Sequence, residues 1–467
     1  MEDLKLPFDF LSAIDGIFEP VERQEFLLSL QQASPTCVRL NPNKLQQLSE
    51  ELVRERSKHC KDVYILKERP LFVGDPGWHC GAYYVQELNS TRVGETVRWL
   101  LEFFSEGCVV LDLCGAPGGK STHISSVLRP DDLLVANEVI QSRNPILIEN
   151  LSKWGKGNFI VTRADAADFK KTPKLFSIIA ADMPCSGEGM FRKDPKSTSE
   201  WTISNVKLCA SRQMRIAEDI WNSLEEGGYF IYSTCTYNFQ ENEENIGKIC
   251  RELGGELVEL PAGITVDGIS LEKNTYRFYP HRTMGEGFFL AVIKKTGITD
   301  TPKKHKSIDK QKSFPKKPIA LPSGLEKNWV LNSNRNGELF VVKRGKWLEK
   351  HPDILGNLPN VSCLGIPIGL YTPSIWKISS AFDLLIDQQI DYPEMNLSIH
   401  QSIQYYQREF IPIKSERKGI VGLRWNGLRL GTGNAVNNGI NNLWPIAWRI
   451  LQKNIIGKSI LKITASF

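Results

Sequence analysis

Two cysteines close two short runs, and each run follows an apolar stretch. Cys185 lies in Asp182-Met183-Pro184-Cys185-Ser186-Gly187, after Phe176 to Ala181. Cys235 lies in Tyr232-Ser233-Thr234-Cys235-Thr236-Tyr237, after Gly228 to Tyr232. A single loop cysteine is more often a structural thiol than a reagent. Here two thiols would stand just past the carboxyl ends of two strands, where open α/β sheets bind their ligands. Upstream, Val109 to Leu113 runs into Cys114-Gly115-Ala116-Pro117-Gly118-Gly119-Lys120-Ser121-Thr122, a glycine-rich strand-to-helix turn. One cofactor loop and two thiols around one crevice point to covalent catalysis by a soft nucleophile, with a second group to move a proton.

Alternating elements must position these residues. Strands are expected at Val109 to Leu113, Leu133 to Asn137, Phe159 to Thr162, Phe176 to Ala181 and Phe230 to Ser233. Helices are expected at Lys120 to Leu128, Ser142 to Trp154, Asn205 to Leu224 (stopped by Gly227-Gly228) and Glu241 to Leu253. Strands at Leu257 to Leu260 and Gly287 to Lys294 close the unit. Such alternation predicts an α/β domain, a parallel sheet covered on both faces with right-handed crossovers.

The glycine turn admits two cofactors. Lys120-Ser121 after Gly119 has the look of a phosphate-binding P-loop, but the position that must be its first glycine is Cys114. The alternative is a nucleoside cofactor without a triphosphate. Glu138 ends the second strand, where a carboxylate can bond ribose hydroxyls, and Asp165 follows the third, where one can accept from an adenine amino group. A lone acidic residue after a strand is usually a helix cap; two at successive strand ends favour the nucleoside.

At this point the residues resemble a known family. Leu111 to Thr122, Asp182 to Pro195 and Tyr232 to Tyr237, with the Arg39 to Asn41 run and Gly81 to Glu87, resemble the Sun-type RNA cytosine-C5 methyltransferases. Within them they are most similar to the RsmF-like branch that acts on 16S ribosomal RNA. Met183 departs from the family, where smaller or branched residues are usual. The resemblance implies a Rossmann-like class I methyltransferase domain and S-adenosyl-L-methionine as cofactor. It implies that Cys114, Gly115, Ala116, Pro117, Gly118, Gly119, Lys120, Glu138, Asp165 and Asp182 surround that cofactor. Cys235 becomes the nucleophile that attacks C6 of cytosine, and Cys185 assists release. Asp182 holds the base, and Lys120 contacts the base or the cofactor carboxylate. Arg39, Arg192 and Lys193 are candidate phosphate contacts, each equally a plain surface charge. A transfer RNA substrate, and a non-catalytic RNA-binding assembly factor, stand as alternatives.

A chain of 467 residues is too long for one core. The expected division is 1–98, an N-terminal helical and mixed domain with one extended run at Thr36 to Leu40; 99–295, the methyltransferase domain; 296–320, a basic linker; and 321–467, an accessory region. Gly419 to Ile450 is similar to the family's PUA-like RNA-binding domain, expected over about 400–467. Ending the chain near Lys295 should then leave the methyltransferase core folded. With 41% hydrophobic and 24% charged residues the composition is that of a soluble globular protein. No apolar run is long enough to span a bilayer and the first residues lack a signal peptide, so a cytoplasmic monomer is expected. Ten cysteines and seven histidines show no metal-ligand spacing, and no metal is expected. The net charge is +5, yet Lys294 to Pro318 holds nine lysines against Asp300 and Asp309. That segment suits a solvated linker, a tether for RNA phosphates, or both.

Overall fold

The computed structural model describes residues 6–44, 47–194, 196–296, 328–333, 337–371, 376–387, 393–414 and 416–462. The expected linker lies, but for its first residue, outside the described residues. The helices Phe8–Ile14 and Pro20–Leu30 precede a four-stranded antiparallel sheet: β1 (Cys37–Leu40), β2 (Val53–Arg56), β3 (Val63–Leu66) and β4 (Tyr83–Val85), in the order β2-β3-β1-β4. Three of these strands go beyond the single extended run expected. Each has three or four residues, and Val53–Arg56 is mostly polar and exposed, so period-two patterning has no length in which to appear.

The large sheet follows. Strands β5 (Val109–Asp112), β6 (Leu133–Asn137), β7 (Phe159–Thr162), β8 (Phe176–Asp182) and β9 (Leu224–Thr234) are parallel, in the order β7-β6-β5-β8-β9. Nearly every residue of β5 to β8 is buried, as in a sheet covered on both faces. The sheet is not wholly parallel, however. Strand β12 (Phe288–Lys295) lies antiparallel beside β9, and β10 (Gly255–Leu257) and β11 (Thr275–Phe278) pair antiparallel with its far edge. The helix Ile203–Trp221 is capped by Thr202 and ends before Gly227-Gly228; those glycines lie inside β9, which begins at Leu224. The helix Arg92–Leu100 spans the expected boundary at residue 98 and sinks Val93, Val97 and Leu100 into the core under this sheet.

After residue 327, β13 (Trp329–Ser333), β14 (Glu338–Lys343), β16 (Ile366–Tyr371) and β17 (Trp376–Ile378) form a third sheet, while β15 (Val361–Cys363) leaves it to pair antiparallel with β7. Side chains of this region enter both cores of the large sheet, Trp329, Ile366 and Phe382 on one side and Val342, Trp347 and Ile354 on the other. The last sheet contains β18 (Glu394–Asn396), β19 (Ile411–Pro412), β20 (Gly419–Trp425), β21 (Leu428–Val436) and β22 (Gly439–Asn442), with the helix Ile399–Tyr406 packed on it. Tyr405, Tyr406, Leu430 and Trp444 share one core with Val38, Leu40 and Tyr83 of the N-terminal sheet and Phe72 of the loop before β4. Asp75 fixes this joint. Its carboxylate accepts from Gly77 N and Tyr83 Oη, both at 2.8 Å, and from Ser459 Oγ and Ile460 N, both at 2.9 Å. The chain beyond Lys295 therefore supplies part of the core of both flanking regions, which argues against the expectation that the methyltransferase core folds without it.

Candidate active site

Parallel pairing of β8 with β9 sets Asp182 opposite Ser233, and Ser233 Oγ donates to Asp182 Oδ1 at 3.0 Å. The loops that leave the two strands are then tied together. Met183 N donates to Ser233 O at 2.8 Å, and Gly189 N to Cys235 O at 2.9 Å. The turn between needs a left-handed residue, which Gly187 supplies at φ 77°. The result is a Cys185 Sγ to Cys235 Sγ distance of 3.3 Å. Met183 turns into the core beside the sheet, so its departure from the family pattern leaves the thiols untouched.

Lys120 reaches this pair from the first turn of the helix Gly119–Val127, and its ammonium donates to Asp182 Oδ2 at 2.8 Å. Burial works to lower the lysine pKa, but the charges of Asp182, Asp112 and Cys235 outweigh it and hold Lys120 above its ordinary value. Cys185 is pushed up, first by its hydrogen bond with Cys235 and then by burial. The two sulfurs stand at hydrogen-bond distance, either able to donate, and the Lys120 charge acts on Cys235.

Beneath the thiols lies a buried polar layer that sequence reasoning missed. Glu241 accepts from Ser186 N at 3.0 Å, Gln213 Nε2 at 2.7 Å and Asn238 Nδ2 at 2.7 Å. Glu188 accepts from Trp201 Nε1 at 3.0 Å and Tyr237 N at 2.7 Å. These two carboxylates brace the Cys185 and Cys235 loops against each other. Glu241, Asn242, Glu243 and Asn245 are all buried. A polar run directly after a reactive-cysteine motif is the only signal the sequence offers for them.

The glycine turn sits one strand away. Gly118 opens the helix at φ 119°, and a Cβ on Gly115 would stand 2.7 Å from Ser121 Oγ. Ser121 Oγ donates to Asp112 Oδ2 at 2.5 Å; burial raises the Asp112 pKa to about 6 against that bond. Burial also pushes the Cys114 thiol up. Asn137 Nδ2 donates to both Leu113 O and Ala164 O at 3.0 Å, knitting the ends of β5, β6 and β7. Glu138 is buried at the end of β6, accepting from Ile140 N at 2.9 Å and lying 3.6 Å from Arg143, which also donates to Ala116 O. Val139 and Ile140 beside it are 54% and 46% exposed, an apolar wall of the kind a flat base packs on. A tight glycine turn, a buried carboxylate and an apolar wall fit a nucleoside cofactor.

Asp182 thus holds Lys120 and Ser233, the two thiols meet at the ends of the same two strands β8 and β9, and Cys114 to Gly119 and Glu138 lie on adjoining strand ends. Asp165 follows Ala164 at the end of β7, beside the end of β6. It caps the short helix Ala166–Lys171 through Ala167 N and pairs with Arg215 at 3.2 Å. Two candidate phosphate contacts are corrected. Arg39 is 1% exposed; it donates to Gln86 Oε1 at 2.8 Å and Thr122 Oγ1 at 2.7 Å and lies over the Trp154 ring at 4.4 Å. Arg192 is buried against Glu286 at 2.9 Å. Both clamp elements together. Lys193 remains exposed.

Comparison with known proteins agrees with this geometry. Residues 100–294 match the model of the 16S rRNA methyltransferase RsmB/F family, which makes the large sheet that of an S-adenosylmethionine-dependent RNA methyltransferase. Residues 6–88 match the N-terminal domain of 16S rRNA methyltransferase RsmF, and 392–450 its PUA domain. Ribosomal RNA small subunit methyltransferase F of Photobacterium profundum is 31% identical over 65% of this chain and 67% of its own. That of Psychromonas ingrahamii is 29% identical over 94% and 96%. The chain belongs to the family of ribosomal RNA small subunit methyltransferase F. In fold it is similar to NSun6 from Pyrococcus horikoshii, solved with SFG, at a TM-score of 0.51 and 20% identity over 62% of this chain and 99% of that one. No described helix is long and apolar enough to cross a membrane.

Proposed function

We propose that this protein methylates C5 of a cytosine in 16S ribosomal RNA through a covalent cysteine adduct. The observation that carries the reading is the 3.3 Å thiol pair beside the Lys120–Asp182 ion pair. Cytosine C5 is a poor nucleophile. Attack of the Cys235 thiolate on C6 makes C5 electron-rich, as covalent catalysis requires. S-adenosylmethionine supplies the methyl group, held by the Cys114 to Gly119 turn, Glu138 and, in this reading, Asp165. Asp182, fixed by Ser233 and Lys120, bonds N3 and N4 of the base and stabilises the ring as it takes up charge. Cys185, as thiolate, takes the proton from C5, the electron pair of that C–H bond restores the C5–C6 double bond, the C6–S bond breaks, and Cys235 departs as thiolate. The target base must first leave its stack, because both thiols are half-buried. Recognition of the RNA falls to the N-terminal sheet and the PUA-matching sheet, which share one core. A ribosomal RNA substrate places the reaction in the cytoplasm.

The test separates the two thiols. Small ribosomal subunits or 16S RNA lacking the modification are incubated with labelled S-adenosylmethionine and mapped by bisulfite sequencing. Cys235→Ala should give neither methylated product nor adduct. Cys185→Ala should accumulate a protein–RNA adduct that survives denaturing electrophoresis. If Cys235→Ala traps RNA instead, the roles are reversed. If both single variants keep full activity, the covalent scheme is wrong.

A further inference from the structure

Away from the thiols, three side chains from three elements converge. Cys60 comes from the turn between β2 and β3, Glu95 from the helix Arg92–Leu100 and His123 from the helix Gly119–Val127. Cys60 Sγ lies 3.1 Å from Glu95 Oε1 and 3.8 Å from His123 Nε2; His123 Nε2 lies 3.2 Å from the same Oε1. Cys60 and His123 are each 2% exposed, and Glu95 reaches partway to solvent. Nothing in the proposed reaction uses them.

Thiolate, imidazole and carboxylate are the donor set of zinc. A tetrahedral zinc ion, with bonds of about 2.3 Å to sulfur and about 2.0 Å to nitrogen and oxygen, spaces its ligand atoms about 3.3 to 3.6 Å apart. The observed triangle of 3.1, 3.2 and 3.8 Å matches that within a few tenths of an ångström. The ligands are also held in place. Glu95 Oε2 accepts from Arg98 at 3.1 Å, leaving Oε1 to the cluster. His123 packs so tightly on Gly94 that a Cβ there would fall 2.2 Å from its Nδ1, which keeps Nε2 turned to Cys60 and Glu95.

We infer that Cys60, Glu95 and His123 form a binding site for a divalent transition metal, zinc by its donor set, with the fourth position open to water on the Glu95 side. Binding exchanges the present hydrogen bonds for bonds to the ion. The Cys60 thiol loses its proton to solvent, and thiolate and carboxylate together balance the ion's two charges. A charge-balanced site is compatible with burial near Arg39. The site would lock the N-terminal sheet to the helix that carries Lys120, one turn before His123. Its ligands are 35 and 28 residues apart in sequence, which is why short-range spacing gave no sign of it.

The full-length protein, stripped with chelator and re-exposed to zinc, is gel-filtered and its metal measured by mass spectrometry. Wild type should retain roughly one zinc per chain, lost in Cys60→Ser and His123→Gln and kept in Cys209→Ser as a control. Cobalt(II) should give a thiolate charge-transfer band in wild type that Cys60→Ser lacks. Because a variant can fail by misfolding, wild type alone is also melted with and without zinc, and the metal should raise its Tm. Zinc content equal in wild type and Cys60→Ser, or a wild-type Tm unmoved by zinc, overturns the assignment and leaves a hydrogen-bonded cluster.

Discussion

Around the thiols, the decisive contacts span a modest length of chain: 62 residues between Lys120 and Asp182, and 50 between Cys185 and Cys235. At the joint of the N-terminal sheet with the five-stranded sheet, Asp75 reaches 384 and 385 residues to Ser459 and Ile460. In the first region Lys120, Asp182 with Cys185, and Ser233 with Cys235 sit in three strand-and-loop units, and neighbouring parallel strands bring the units together. In the second, neither partner has a complete core of its own. Chemistry is placed by local units here, while stability depends on the two ends of the chain meeting.

Removing one side of the joint should therefore have the largest effect. A chain ended at Lys295 loses β15 from the edge of β7. It loses Trp329, Trp347 and Phe382 from the large sheet and Tyr406 and Trp444 from the N-terminal core. Each such side chain contributes about 1.5 to 3 kcal/mol, and five of them rival the whole stability of a domain, about 5 to 15 kcal/mol. The truncated chain should be insoluble or melt without a cooperative transition in calorimetry. A soluble fragment with a sharp transition and intact cofactor binding would show that the catalytic sheet stands alone.

A single side chain should reproduce part of this. Asp75→Ala leaves Tyr83 Oη, Gly77 N, Ser459 Oγ and Ile460 N without their acceptor in a buried site. The expected loss is about 3 to 5 kcal/mol, read as a lower urea midpoint. Methyl transfer under conditions where the variant is folded should stay near wild type. Loss of activity without loss of stability would tie the joint directly to the chemistry.

The converse variant lies under the thiols. Glu241→Gln puts an amide where three donors converge, so one of Ser186 N, Gln213 Nε2 and Asn238 Nδ2 must lose its partner. The Cys185 loop should shift, and a shift of this kind can cost roughly 10²-fold in kcat. The KM for S-adenosylmethionine should hold, because the glycine turn is one strand away. An equal change in both constants would mean that the polar layer supports the whole crevice.

How much was legible follows the same division. The strands β5 to β8 are mostly apolar runs, and the sequence places both them and the thiols. Ser233, Glu241 and Gln213 were not visible, because their roles depend on which loops the sheet makes neighbours. Arg39 and Arg192 read as surface charges and are buried clamps, since an isolated arginine carries no mark of its partner's position. Strand β15 has three residues, and its pairing with β7 joins Val361 to Thr162 across nearly two hundred positions. No local pattern encodes that.

The smallest expected effect is a pH slope that reads the joint from inside. His79 lies under the joint, stacked on Tyr406 at 4.7 Å with its Nε2 at 2.9 Å from Val73 O. Burial, and then the charge of Lys153, depress its pKa from 6.5 to about 3, against the pull of that carbonyl. The folded value is below the unfolded one, so the unfolded chain takes the proton first. The contribution of neutral His79 is present in full above pH 6.5 and is lost as pH falls towards 3. The slope below pH 6.5 is about 1.4 kcal/mol per unit for one such group. His79→Gln can keep a donor towards Val73 O while removing the titration. Urea midpoints between pH 7 and 5 should fall less steeply in this variant, by about one proton's worth, with the residual slope carried by the remaining groups. An unchanged slope would place water at His79 in the folded state, and the joint would then be looser than its packing indicates.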